Sequence, residues 1–97
     1  LPYLAANRDY VIEYLRENIP AIRTTRPEAT YLMWLDCSAS VIPGNPHEFF
    51  LQKAKVALND GEMFGPGGKG FVRLNLACPR STLAEALQRM HTALAAL

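Results

Sequence analysis

The chain has 97 residues, 49% of them hydrophobic and 20% charged, with a formal net charge of +1. That balance fits one soluble globular domain with a modest core, and it excludes a disordered or collagen-like chain. Its charges form no basic tract, no apolar run approaches the roughly 20 residues of a membrane helix, and no signal pattern opens the chain, so a cytoplasmic protein with neither nucleic acid nor membrane as partner is expected.

From Pro2 to about Asn18, apolar Leu4, Val11, Ile12, Leu15 and Ile19 recur at helical spacing among Arg8, Asp9, Glu13, Arg16 and Glu17. This predicts an amphipathic helix that Pro20 ends. Residues 21–26 alternate weakly, as a short edge strand does before Pro27. The run Thr30 to Asp36 is rich in β-formers and apolar on both faces, with Tyr31, Met33 and Leu35 opposite Leu32 and Trp34. A strand apolar on both faces needs cover on both, and so short a chain supplies cover for one. Together with the start at Leu1 in helical pattern, this predicts a piece of a longer protein. Cys37 and Cys78 lack the spacing of a disulfide scaffold or zinc site and are expected to be buried reduced thiols.

Asn45-Pro46-His47-Glu48 supplies a helix start, with Asn45 as N-cap, and the helix is expected to reach about Leu58, where Asn59-Asp60-Gly61 stops it. Glu62-Met63-Phe64 allows a very short strand, and Gly65 to Gly70 is a loop. Phe71 to Leu76 alternates as a strand, with Val72, Leu74 and Leu76 on one face and Phe71, Arg73 and Asn75 on the other. Pro79-Arg80 breaks it. Ser81 or Thr82 then caps a last helix whose buried stripe is Leu83, Leu87, Met90, Leu94 and Leu97. The expected fold is therefore α+β, a sheet of three or four strands, antiparallel or mixed, with helices mainly on one face and an unusually apolar second face.

Gly65, Gly67 and Gly70 match a dinucleotide-binding spacing, but a strand follows them where that fingerprint needs a helix, and Pro66 removes an amide donor. Arg73 stands in an otherwise apolar strand just after this loop. Its guanidinium must reach water or meet an anion, and its planar fork suits a carboxylate. From spacing alone a structural or exposed arginine outweighs a ligand-binding one. His47 and His91 have no metal-ligand spacing around them, Lys53, Lys55 and Lys69 have no visible cofactor cradle, and no triad can be argued, so catalytic, cofactor-binding and metal-ligating residues are not expected in the chain itself.

The stretch from Phe64 through the glycine loop to Asn75, followed by Cys78-Pro79-Arg80-Ser81, resembles the C-terminal signature of fold-type I pyridoxal-phosphate (PLP) enzymes, especially the cystathionine β-lyase-like branch of the class I and II aminotransferases. Residues 29–36 resemble that branch's small-domain strand, residues 59–64 the turn before the loop, and Tyr10 to Ile19 the end of its domain-connecting helix. The resemblance implies that residues 1–97 are the C-terminal small domain, with 1–19 the connecting helix, of a homodimeric PLP-dependent aminotransferase or carbon–sulfur β-lyase acting on amino acids. The partner is then the chain's own large PLP-binding domain, and the fragment alone is inactive. It implies that Arg73 clamps the substrate α-carboxylate and makes Thr30 and Tyr31 candidates for the pocket rim. One departure is Ala29, where the branch carries glycine, which leaves substrate size open. The residues alone also admit a free-standing small-molecule-binding or regulatory α+β module, or a protein-interaction module that uses the apolar second face.

Overall fold

The computed structural model describes residues 2–24 and 31–97; Thr30, Ala29 and the end of the run 21–26 lie outside them. Helix α1 spans Pro2–Asn18 and buries Leu4, Val11 and Leu15, followed by buried Ile19 and Ile22. Strand β1 is the two-residue edge Arg23–Thr24, and β2 is Leu32–Asp36. Helix α2, Pro46–Phe49, runs on into a wider π turn over Phe50–Ala54, and β3 is Asn59–Asp60. Tight 3-10 turns at Gly61–Phe64 and Pro66–Gly68 lead to β4, Phe71–Asn75, and helix α3 closes the fold over Arg80–Ala95.

All pairings among the described strands are antiparallel, in the order β1-β2-β4-β3. The central pair β2 and β4 aligns Met33 with Leu74 and Leu35 with Val72. These four are buried, and they form one core with Val11 and Leu15 of α1, Phe50 of the π turn, and Leu83, Leu87 and Met90 of α3. Burial of each such side chain stabilises the fold by about 1.5–3 kcal/mol before chain entropy is counted. The opposite face carries half-buried Leu32, Trp34 and Phe71 beside Asp36, Arg73 and Asn75. It is apolar at its centre and polar at its ends, less uniformly apolar than the sequence pattern suggested.

Three expectations are corrected. The second helix stops at Ala54, because Lys55 adopts the left-handed conformation at φ 58° and the Val56 N–H turns back to the Phe50 carbonyl. Beyond it, burial alternates through Val56, Ala57 and Leu58 as in extended chain, so Asn59-Asp60 is strand β3 rather than a helix stop, and residues 61–64 form a turn rather than a strand. Finally, α3 begins at Arg80 with Pro79 as its N-cap and no side-chain cap, so Ser81 and Thr82 lie inside the first turn. Asn45, by contrast, caps α2 as expected, accepting from the Glu48 N–H at 3.2 Å.

Two glycines position the loop before β4. Gly61 lies against the neighbouring turn so closely that a Cβ there would sit 2.4 Å from the Gly68 carbonyl oxygen. Gly70, at φ 85°, turns the chain into the strand, and its carbonyl accepts the Cys37 N–H at 2.9 Å, extending the β2–β4 ladder.

Asn7 is the polar residue that the described core buries, and the helical pattern gave no sign of it. Its amide donates to the carbonyls of Leu76 and Cys78, each at 2.9 Å, and its oxygen accepts from Arg80 Nε at 3.0 Å. Arg80 Cζ in turn lies 4.5 Å from the Tyr10 ring centroid. One side chain thus fastens α1 to the link between β4 and α3. Replacing Asn7 by Leu removes a donor from the carbonyls of Leu76 and Cys78, the former keeping the Cys78 N–H, and takes the acceptor from Arg80 Nε, and we expect a loss of about 2–3 kcal/mol in urea unfolding; a change below about 0.5 kcal/mol would show that the bonds carry little.

Candidate functional site

Arg73 is the middle residue of β4, and its neighbours on both sides follow from strand register. Trp34 of β2 and Asn59 of β3 are both its direct cross-strand partners. Alternation puts this row on the face turned away from the core helices, since Val72 and Leu74 point into the core. Arg73 Cζ lies 5.9 Å from the Trp34 ring centroid, within cation–π range, and Nε donates to Asn59 Oδ1 at 3.4 Å. Phe71 meets Trp34 edge to face at 6.4 Å. Arg73 as a residue is half-buried, its guanidinium lying beside an indole and in an exposed hydrogen bond to an amide. Arg73 and Asn59 are also among the residues that line an open cavity of about 320 Å³ with Leu58, Leu74 and Leu83.

The other sequence candidates are placed differently. Tyr31 is 45% exposed and precedes β2, where its carbonyl accepts the Leu76 N–H at 2.7 Å. In the strand's alternation it falls in step with Met33 and Leu35, while Trp34 shares the face of Arg73. Thr30 is outside the described residues. The structure thus brings together Arg73, Trp34 and Asn59, of which Trp34 was read from sequence as part of the second apolar face of its strand and Asn59 as a helix stop.

Both cysteines are free, Cys37 buried and Cys78 half-buried. Burial, reinforced by the nearby Asp36 carboxylate, pushes the Cys37 thiol up to about 12, and burial also raises Cys78. Neither is poised as a nucleophile. No cluster of metal-ligating side chains exists among the described residues, and none of the described helices is long and apolar enough to cross a membrane. Lys53, Lys55 and Lys69 are all exposed, whereas a lysine that anchors PLP needs a desolvated cradle. The described residues do not fit a PLP seat.

The fold and the sequence define the same class. Along nearly its whole length the chain is similar to the C-terminal part of PLP-dependent enzymes of the cystathionine β-lyase and aminotransferase group, and its antiparallel sheet with three helices is their C-terminal domain architecture. It is 37% identical over 95 residues to cystathionine β-lyase PatB of Bacillus subtilis, covering 97% of this chain and 24% of that protein. It is also 35% identical over 83 residues to the LL-diaminopimelate aminotransferase of Desulforudis audaxviator, covering 86% of the chain and 21% of that enzyme. Cystalysin from Treponema denticola, solved with a pyridoxal 5'-phosphate cofactor, superimposes with a TM-score of 0.87 at 35% identity over 98% of this chain and 24% of its own. The chain spans about a quarter of the length of these relatives. No protein-family model matches it.

The Cys37 environment has a consequence for stability. An unfolded chain releases this proton near 9.0 while the folded chain holds it to about 12, so the folded state binds more protons between those values. The stability this thiol contributes is full below pH 9 and is lost as pH rises toward 12. Replacing Cys37 by Ala should flatten the alkaline limb of a Tm-against-pH profile, and identical limbs in the two proteins would contradict the assignment.

Proposed function

We propose that this chain is the C-terminal small domain of a longer PLP-dependent carbon–sulfur β-lyase or aminotransferase, with Arg73 holding the α-carboxylate of the amino-acid substrate. The observation that carries the reading is the placement of Arg73, a half-buried residue on the outer sheet face whose guanidinium lies between an indole and an amide, just after a glycine turn. A planar fork of N–H donors in that setting matches a carboxylate in two parallel hydrogen bonds, which a lysine point charge does not reproduce. The relatives support it, being named as enzymes of both chemistries and matched over the segment that contains Arg73.

PLP, held on this reading by the large domain, would supply the electron sink for breaking a bond at the substrate Cα. The work of this chain is positional. Two bonds from Arg73 to the acid end remove one rotation of the substrate and fix how its Cα is presented to the rest of the site. Leu32, Trp34 and Phe71 exclude water from one side of that contact and strengthen it. On the same reading, α1 connects to the large domain, the outer sheet face is turned toward that domain, the isolated chain is inactive, and the longer protein works as a cytoplasmic homodimer.

In the full-length protein, Arg73→Ala should lower kcat/KM for L-cystathionine, or for an amino donor with a keto-acid acceptor, by about a hundredfold or more, equivalent to roughly 3–5 kcal/mol. Arg73→Lys should recover only part of the loss, because one ammonium cannot make the paired contact. A loss below about threefold in Arg73→Ala would remove this arginine from the substrate site.

A further inference from the structure

We infer that the cavity between the start of α1 and the link from β4 to α3 receives a carboxylate side chain of the domain that precedes α1, with Arg80 as its partner. This rests on the reading of the chain as a C-terminal small domain and not on the role given to Arg73. The cavity is open, measures about 530 Å³, and is lined by Tyr3, Ala6 and Asn7 of α1 and by residues 77–80. Arg80 is the charged member of that lining, and its contacts are neutral. Nε donates to the oxygen of buried Asn7 at 3.0 Å, and Cζ stands 4.5 Å from the Tyr10 ring centroid. Asn7 is itself fixed, because its amide donates to the carbonyls of Leu76 and Cys78. The arginine is thus oriented by a held acceptor and an aromatic face, neither of which cancels its charge.

Among the described residues no acid pairs with Arg80: Asp9 pairs with Arg8, Glu13 with Arg16 and Glu85 with Arg89. Its terminal nitrogens bond to no described residue, so the pair of donors at the end of the fork is open. Much of the side chain's rotamer freedom is already spent on Asn7 and Tyr10, so a carboxylate entering the cavity makes a paired contact without first having to order its partner. The rest of the lining selects the source of that carboxylate. Ala6, Ala77 and Pro79 are exposed, and Tyr3, 49% exposed, carries a hydroxyl that is a further donor. An apolar rim around one charge suits a protein surface with an acid at its centre, whereas a small free anion would leave the rim wet. On the proposed reading the large domain joins at the start of α1, the end that lines this cavity. The pairing is then intramolecular, which raises the effective concentration of the acid. Arg80 fastens the two domains at the root of the connecting helix.

The test uses the full-length protein. In Arg80→Lys, a water-soluble carbodiimide should join the amine at position 80 to an Asp or Glu upstream of residue 1 in the same chain, located by peptide mapping, and replacing that acid by its amide should abolish the product. Arg80→Gln should lower Tm, and its difference from the parent should shrink by about half or more between roughly 0.01 and 1 M salt, as the screening length falls from about 30 to about 3 Å. Loss of the Asn7 bond and the ring contact alone would be insensitive to salt. A product formed only with an acid of residues 2–97 or between subunits, no product at position 80, or a Tm difference that salt leaves unchanged would each overturn the inference. A Tm that rises with inorganic phosphate in the parent but not in Arg80→Gln, without an upstream product, would assign the cavity to a free anion and overturn it likewise. A small effect of Arg73→Ala would remove the substrate grip and leave this inference standing, whereas a gene that encodes no domain ahead of α1 would remove the small-domain reading and the inference together.

Discussion

The register between β2 and β4 governs everything else in this domain. Five residue pairs set Met33 and Leu35 against Leu74 and Val72 on the helix side, and the same five set Trp34 beside Arg73 on the other. Because side chains alternate with a period of two, a slip of one residue would carry Arg73 into the core and expose the leucines. The hydrophobic core and the candidate site are therefore specified by one pairing. An unpaired guanidinium forced among Val11, Phe50 and Leu87 would cost several kcal/mol, so the core itself acts as a selector for the register that points the arginine outward.

What the sequence made legible was local. The stripes of α1 and α3, the alternation of β2 and β4 and the cap at Asn45 all rest on contacts between residues a few positions apart, and the structure bears them out except at Ile12 and Leu97, which are exposed, Leu97 lying beyond the end of α3; the glycine loop, expected to lack regular structure, holds a tight 3-10 turn at Pro66–Gly68. What it hid was either non-local or in competition with a stronger local signal. Asn7 looked like one more polar residue on a helix, because its partners lie 69 and 71 positions away. The segment after Ala54 was read as helix because the start signal at Asn45 was strong and the residues are good helix formers. The left-handed turn at Lys55 overrides that preference, and the alternation of Ala54, Val56 and Leu58 was the available sign of it. Missing that switch meant missing β3, and with it Asn59.

The candidate site shows the same division. Arg73 was visible as a charge in an apolar strand, and its meaning came from resemblance rather than from spacing. Trp34 was visible as a residue of the second face but could not be assigned to Arg73 without the strand pairing. Among the described residues the candidate site offers a donor fork on a half-buried arginine, the lysines are exposed, and burial raises both thiols. Such a surface is suited to holding and orienting an acid group, and on the proposed reading the chemistry is done by groups of another domain.

The most direct measurement of this account compares an amino-acid substrate with its carboxamide in the full-length protein, with and without the arginine. If Arg73 grips the carboxylate, the parent should prefer the acid by about a hundredfold or more in kcat/KM, and Arg73→Ala should bring acid and amide to within a few-fold of each other. A preference for the acid that survives loss of the arginine would show that the carboxylate is held by another group.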